Sequence, residues 1–246
     1  MESTRAHTTV EIDGASYQRY GVKPYGSGLY RSGEHDGVLY SGTYVRHRTT
    51  TRFAGIIHHS RVLAFRPGEW LLVHDRLRDP LRKRHSFTQH FHFSPQLEVV
   101  AHGAGSRVEV PGSPLHVVPL LGTEALPPVR GQEEPELLGW VSHRSKKLDP
   151  CWTAAFRAER LAACSMATLL AFGESAPVPL PSNEPGELRW SHEGQEWRLV
   201  FGVPERDDFT FHSSMRPVSS EAPDPAHGED PRSFRHLVER FSRFPR

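Results

Sequence analysis

The chain has 246 residues, and its 30 basic residues are balanced by 29 acidic ones, giving a formal net charge of +1. This balance excludes the overall positive surface on which nucleic-acid or anionic-membrane binding depends. The sequence also lacks an apolar stretch long enough to span a bilayer and a recognisable signal peptide. We therefore expect no nucleic-acid partner and no membrane insertion.

Short segments with alternating apolar and polar residues recur along most of the chain, separated by Gly, Pro and Asp. No helical periodicity of useful length occurs between Ala6 and Phe211, so the pattern favours an all-β fold of antiparallel stacked sheets, a β-sandwich or supersandwich-like arrangement. The predicted strands are Thr8 to Ile12, Arg52 to Phe65, Trp70 to Arg76, Ser86 to Ser94, Leu97 to Ala101, Trp152 to Arg160, Met166 to Phe172 and Trp197 to Gly202.

The C-terminal part has a different composition. Residues 217–231 are rich in Pro, Ser, Glu and Asp, which is typical of a linker. Four apolar residues that follow it have the spacing of a helix: Phe234, Leu237, Val238 and Phe241. We predict one β domain over residues 1–216 and, over 217–246, a linker with a short terminal helix at 233–244.

The two cysteines, Cys151 and Cys164, lie in successive apolar runs. The runs are predicted to pair as an antiparallel hairpin that turns near residues 161–163. In that hairpin the two side chains do not face each other, so buried thiols are favoured over a disulfide.

The chain holds 16 histidines, and several cluster in its first half. Between Ser86 and Ser94, alternation puts His90 and His92 on one side of a strand and Phe87 and Phe91 on the other. The aromatic side is the natural core side. We therefore expect the two histidines to face either solvent or a cleft.

A carboxylate near the next strand pair is a second candidate for chemistry. A two-residue turn at Pro67-Gly68 puts Asp75 on the same face as His58, whereas one bulge residue brings it beside His59 and Arg61. Such a carboxylate suits a general base, a metal ligand or a structural hydrogen bond, of which the last is commonest. His59, Arg61 and Asp75 are the candidate catalytic residues, with the register left open.

A run of basic residues follows the predicted strand that contains Asp75. It comprises Arg78, Arg82, Lys83 and Arg84. A solvated turn is the usual interpretation of such a run, and contact with a polyanionic sugar is the alternative.

Several motifs resemble the C-terminal sheet domain of heparinase II/III-like polysaccharide lyases. "RAHTTVEIDGASYQ", beginning at Arg5, is similar to the segment that opens the downstream half of those enzymes. "EHDGVLYSG", "HHSRVLAFRPGEWLLVHDRL" and "HSFTQHFHFSP" follow in the same order. The resemblance covers roughly Thr4 to Phe211, without the family's N-terminal helical toroid.

The resemblance implies a carbohydrate-active lyase domain. Members cleave uronic-acid-containing glycans, glycosaminoglycans among them, by β-elimination at a carbon–oxygen bond, with a catalytic Tyr from the toroid. For this chain it implies an acidic polysaccharide as ligand, a helical-toroid domain or chain as partner, and weak or no cleavage by the isolated chain. The implied location is the cell envelope or periplasm; the sequence itself leaves the compartment unknown.

Some members of that family also hold zinc in the sheet domain. The ligands are a His-x-His segment, a following Asp and the His of the "AH" motif, of which His7 alone has a counterpart here. Because a zinc site needs at least three protein ligands, no cofactor is expected for the isolated chain.

Two other functions stay open. A non-catalytic glycan-binding or scaffolding module would use Arg61, Trp70, His90 and His92 as a glycan-facing surface, since aromatic and guanidinium groups suit sugars and their carboxylates. A metal-dependent enzyme unrelated to sugars would use His59, Asp75 and His85. The sequence leaves the glycan and the oligomeric state open.

Overall fold

A computed structural model describes residues 4–15, 31–35, 38–48, 56–144, 147–184, 186–200 and 216–217. Apart from a 3-10 turn at Thr4–Ala6, its regular elements are strands. They are β1 (Val10–Ile12), β2 (Arg31–His35), β3 (Val38–Arg48), β4 (Ile56–Arg66), β5 (Trp70–Arg78), β6 (His85–His92), β7 (Glu98–His102), β8 (Gly105–Glu109), β9 (Leu115–Pro119), β10 (Glu124–Arg130), β11 (Trp140–Arg144), β12 (Lys147–Pro150), β13 (Trp152–Leu161), β14 (Ala163–Phe172), β15 (Val178–Leu180), β16 (Glu187–His192), β17 (Gln195–Val200) and β18 (Arg216–Pro217).

The strands form three stacked sheets and a separate hairpin. The large sheet has the order β2-β3-β4-β5-β14-β9-β8-β7, the front sheet β1-β6-β13-β10, and the rear sheet β15-β16-β17-β18, while β11 pairs with β12. The strand pairs are antiparallel. The predicted all-β fold of antiparallel stacked sheets is confirmed.

The first hydrophobic core lies between the front sheet and the large sheet. Phe87, Phe91 and Phe156 come from the front sheet and pack with Leu77 and Met166 of the large sheet. Phe87 and Phe91 lie on the same side of β6, so the predicted aromatic core face of this strand is confirmed.

A second core lies on the opposite face of the large sheet, against the rear sheet. Trp70 and Leu72 of β5 pack there with Trp190, Trp197 and Leu199. The large sheet is thus buried on both faces in its centre, and the apolar runs of β5 and β14 follow from that position.

The turn between β4 and β5 contains three residues, because Arg66 pairs with Trp70. The resulting register places Arg61 directly opposite Asp75. This is the register predicted for one extra turn residue, and it brings Asp75 to the same face as His59 and Arg61.

The predicted hairpin of the two cysteine-bearing runs is wrong. β13 pairs with β6 and β10 in the front sheet, whereas β14 pairs with β5 and β9 in the large sheet. The chain crosses between sheets at Ala162, whose carbonyl accepts a hydrogen bond from the Asp79 amide at 2.9 Å. Cys151 and Cys164 are nevertheless free, buried thiols, as predicted.

The predicted linker and terminal helix lie outside the described residues, apart from Pro217, which is in β18. Sequence patterning also missed several strands, among them β8 to β12 and β16. Within the described part of the chain, no helix is long and apolar enough to cross a bilayer.

Candidate functional site

The strongest polar cluster lies between the front and large sheets, centred on Asp75, whose side chain is fully buried. One carboxylate oxygen lies 2.7 Å from His59 Nε2 and accepts a 2.7 Å bond from Arg61 Nε. The other accepts bonds from Arg61 Nη2 at 2.7 Å and Gln89 Nε2 at 2.6 Å. The Gln89 oxygen accepts a bond from Thr168 Oγ1 at 2.6 Å, which extends the network across both sheets.

This network holds Asp75 as a carboxylate. Burial by itself raises the pKa of Asp75, but the charges and hydrogen bonds of Arg61 and His59 outweigh burial and hold that pKa well below its usual range. Arg61 also donates to the Thr8 carbonyl at 2.5 Å, so its guanidinium bridges the sheet to the N-terminal segment. The geometry fits a structural ion pair, and the catalytic role of these three residues stays a prediction.

A second buried group fixes the turn that follows β5. The two ring nitrogens of His85 lie 2.7 Å from Asp13 Oδ2 and 3.0 Å from Asp79 Oδ2. Burial lowers the pKa of His85, but its hydrogen bonds to the two carboxylates outweigh burial and raise it overall. A metal-binding triad of His59, Asp75 and His85 does not occur, because His85 bonds to a different pair of carboxylates.

A cavity of about 170 Å³ lies on the outer face of the front sheet, beneath residues 126–138. His90 and Thr88 of β6 contribute to it, as do Thr153 and Arg157 of β13. These side chains alternate with the core-facing phenylalanines, so the strand period itself directs them away from the core. Of the two predicted alternatives, solvent or a cleft, the structure places His90 in a cleft.

Two side chains of this cavity, His90 and Thr153, have buried polar atoms without a hydrogen-bond partner among the described residues. His90 is 4% exposed, and neither ring nitrogen has a hydrogen-bond partner among the described residues. Burial, together with His92, Arg5 and Arg157, lowers the pKa of His90 to about 4. At neutral pH the ring is therefore uncharged and offers one donor and one acceptor to a ligand.

Charged groups at the cavity are largely paired. Arg5 bonds to Glu11, with the Nη2–Oε1 distance at 3.1 Å, and also contacts Glu136. Arg157 Nη1 lies 3.7 Å from Glu159 Oε1. The cavity thus presents hydroxyl and imidazole groups between neutralised charges, which suits an uncharged, hydroxyl-bearing group.

The other predicted substrate-binding residues lie in different surroundings. His92 is half-buried beside His90, with ring centroids 6.5 Å apart, and burial lowers its pKa. Arg61 is committed to Asp75 and Thr8. Trp70 requires a correction: its side chain is 3% exposed and packs edge-on against Trp190 and Trp197, so it does not form a glycan-facing surface. The indole is buried because both faces of β5 are covered.

His7, the predicted zinc ligand, is exposed and lies near His92. Among the described residues, no three His, Cys, Asp or Glu side chains are grouped closely enough to hold a metal ion. The residues in hand therefore do not fit zinc on their own, and no chemical step is assigned to it.

Sequence reasoning missed most of the cavity. Arg5 and Glu11 lie in the motif that begins at Arg5, but the motif does not mark them as cavity residues. Arg157 lies in no motif, and Gln132 lies in a segment without a recognised pattern. The alternation of β13 could have placed Thr153 and Arg157 on one face. No sequence signal shows that residues 126–138 fold over that face.

Comparison with known families identifies the fold. Residues 1–157 match the model of the family described as Heparinase II/III-like, C-terminal. The chain therefore belongs to the heparinase II/III-like family through its C-terminal domain. No curated protein shows a significant sequence match to it.

Solved structures of lyases share the architecture. Heparan sulfate lyase HepC from Pedobacter heparinus superimposes with a TM-score of 0.59 at 13% identity, covering 90% of this chain and 32% of that one. The heparinase III BT4657 gene product gives a TM-score of 0.57 at 13% identity, covering 80% and 30%. At these identities the likeness shows the fold alone. This chain spans about a third of the length of those lyases.

Proposed function

We propose that this chain is the sheet domain of a polysaccharide lyase system acting on uronic-acid-containing glycans, with the outer face of the front sheet lying against the sugar chain. The observation that carries the proposal is the buried His90, which has no hydrogen-bond partner among the described residues and lies in a cavity of about 170 Å³. An apolar cavity of about 150 Å³ holds a benzene ring, so the cavity at His90 has room for one six-membered sugar ring. Family membership supports a glycan as the ligand.

Cleavage by β-elimination needs a group that neutralises the uronate, a base for the C5 proton and an acid for the departing oxygen. His59, Arg61 and Asp75 are bonded to one another, and His90, with a pKa of about 4, is poorly matched to act as a base at neutral pH. We propose that cleavage uses groups outside these 246 residues, from a helical-toroid domain or chain.

The experiment measures binding and cleavage separately. The full chain is titrated with heparan sulfate, alginate and hyaluronan oligosaccharides by calorimetry, and the same mixtures are followed by ultraviolet absorbance for unsaturated uronate. We expect binding of at least one glycan without robust turnover. His90→Gln should weaken binding, whereas His102→Gln, the same change at an exposed edge strand, should leave it intact.

Two results would contradict the proposal. Robust release of unsaturated products by this chain alone would show that it holds a complete catalytic set. Absence of binding to every glycan tested would remove the sugar-binding role.

A non-catalytic glycan-binding or scaffolding module is the second candidate. The burial and mutual bonding of the candidate catalytic residues favour it, since the His59 and Asp75 side chains are withdrawn from the surface where a polysaccharide would bind. Mixing the chain with a helical-toroid domain of a heparinase II/III-like lyase separates the two: unsaturated products beyond those of the toroid alone support the lyase system, and binding without such products supports the module.

A further inference from the structure

Two crossovers between the front and large sheets meet at one end of the fold. The loop from β5 to β6 and the turn from β13 to β14 lie side by side, since Arg78 pairs with Ala163 and His85 pairs with Leu161. The Asp79 amide bonds to the Ala162 carbonyl between these two pairs at 2.9 Å.

Four arginines lie in these two connections or at the strand ends beside them. We call the residues the arginine patch: Arg78, Arg82, Arg84 and Arg160. All four are exposed. None forms an ion pair with a carboxylate of the described residues, although the chain as a whole is close to neutral. The four guanidinium groups therefore have no direct carboxylate partner among the described residues.

The acidic residues near the patch form hydrogen bonds that fix the conformation of the loop from β5 to β6. Asp79 accepts backbone bonds from Leu81 at 2.7 Å and Lys83 at 3.2 Å, and both Asp79 and Asp13 contact His85. The loop that carries Arg82 and Arg84 is thus organised before any ligand arrives, which lowers the ordering cost of binding.

We propose that the arginine patch is a second binding site, for the sulfate or carboxylate groups of an acidic polysaccharide. Guanidinium groups form paired hydrogen bonds with such anions. A polysaccharide is favoured over a single-stranded nucleic acid because the two turns carry no exposed aromatic side chain among the described residues, and base stacking depends on one. The choice of ligand rests on the proposed function.

The patch is distinct from the cavity at His90. Both lie along β13: Ala155 lines the cavity, and Leu161 lies at the patch. At the rise of a strand, the six intervening steps correspond to about 20 Å. One extended oligosaccharide can therefore reach both, with an uncharged ring in the cavity and acidic groups on the arginines.

The test uses the full chain and a fluorescent heparin octasaccharide, followed by anisotropy at low and at physiological salt. Arg84→Glu/Arg160→Glu should weaken binding at least about tenfold at low salt and reduce the dependence of binding on salt. The reason is that two guanidinium–anion contacts are replaced by repulsion between carboxylates and the anionic ligand. The matched control is Arg107→Glu/Arg130→Glu. It changes the net charge by the same amount, and Arg130 lies at the opposite end of β13. The control should change affinity by no more than about twofold. Melting temperatures confirm that both variants fold.

Each outcome decides the matter. Equal weakening by both double variants, or no binding of the octasaccharide to the wild type, would refute the proposal that the arginine patch binds a polysaccharide. Tighter binding of a thymidine oligonucleotide of equal charge would overturn the choice of a polysaccharide. Weakening by His90→Gln without any effect of Arg84→Glu/Arg160→Glu would overturn the patch and leave the proposed function standing. The reverse result would support the patch and count against the cavity.

Discussion

Replacing Asp75 by Asn is expected to be among the most damaging single changes in this fold. The carboxylate is fully buried and accepts or shares hydrogen bonds with His59, Arg61 and Gln89. Asn keeps the shape but removes the negative charge, and its NH₂ group is directed at donors. Arg61 is then left beside the core without its counter-ion.

Removing one partner of a buried ion pair costs about 3–5 kcal/mol. That is a large part of the roughly 5–15 kcal/mol by which a domain is stable. Urea unfolding followed by tryptophan fluorescence measures the loss. For a slope of about 3 kcal/mol per molar urea, the midpoint should fall by roughly 1–1.7 M.

The same carboxylate predicts a pH dependence. The pKa of Asp75 is held far below its usual value in the folded protein. The contribution of Asp75 to the free energy of unfolding is therefore complete above the unfolded-state pKa of about 3.9, and it is lost as the pH falls from that value toward the pKa of the folded state. Asp75→Asn should lack this acid-dependent loss.

The control is Asp149→Asn, because Asp149 is partly exposed and pairs with Lys147 at 3.2 Å on the surface. A surface pair contributes at most about 1 kcal/mol. If Asp75→Asn costs no more than this control, the network does not stabilise the junction of the two sheets and the reasoning fails.

Three further changes test other parts of the structure by thermal melting. Because the pKa of His90 in the folded protein is about 4, wild-type stability should fall as the pH drops from about 6.5 to 4. His90→Gln should make that fall smaller. An unchanged dependence of the melting temperature on pH would contradict the lowered pKa of His90. The pKa of His85 is raised in the folded protein. Its contribution to the free energy of unfolding is therefore complete below about pH 6.5 and is lost as the pH rises through the pKa of the folded state. The stability deficit of His85→Gln should therefore be largest in acid, and a deficit that grows with pH would refute this. Trp70→Ala should lower the free energy of unfolding by about 3–5 kcal/mol, because it leaves a cavity in the core beside Trp190 and Trp197. The folded fraction should keep its affinity for glycans. Loss of glycan affinity without loss of stability would show that Trp70 is a binding residue.

The strand period gave reliable local information. Along β6, alternation alone placed Phe87 and Phe91 in the core and His90 on the opposite face, because a strand's two faces are fixed once one is buried. The pairing of β4 with β5 was limited to two registers by the same rule. Only the length of the turn, seen in the pairing of Arg66 with Trp70, selects between them.

Long-range pairing had no local signal. β13 and β14 are separated by one residue and look like the arms of a hairpin, yet each pairs with strands distant in sequence. A short apolar strand satisfies its hydrogen bonds equally well with any antiparallel neighbour, so sequence proximity misled the prediction. Trp70 was misplaced for a related reason: the rear sheet that covers it comes from residues more than a hundred positions later.

The sequence by itself determined the all-β class, the family and the inward faces of individual strands. It also gave a short list of polar residues that are candidates for binding or catalysis. These features depend on neighbours within a few positions. Tertiary structure alone decided which of those polar residues meet. It joined Asp75 to Gln89 across two sheets and enclosed His90 beneath residues 126–138. It also paired His85 with Leu161, which brings the segment of Arg84 to the end of the strand that carries Arg160. Such contacts depend on how sheets stack and where the chain crosses between them, and stacking is set by the burial of whole faces rather than by any local pattern.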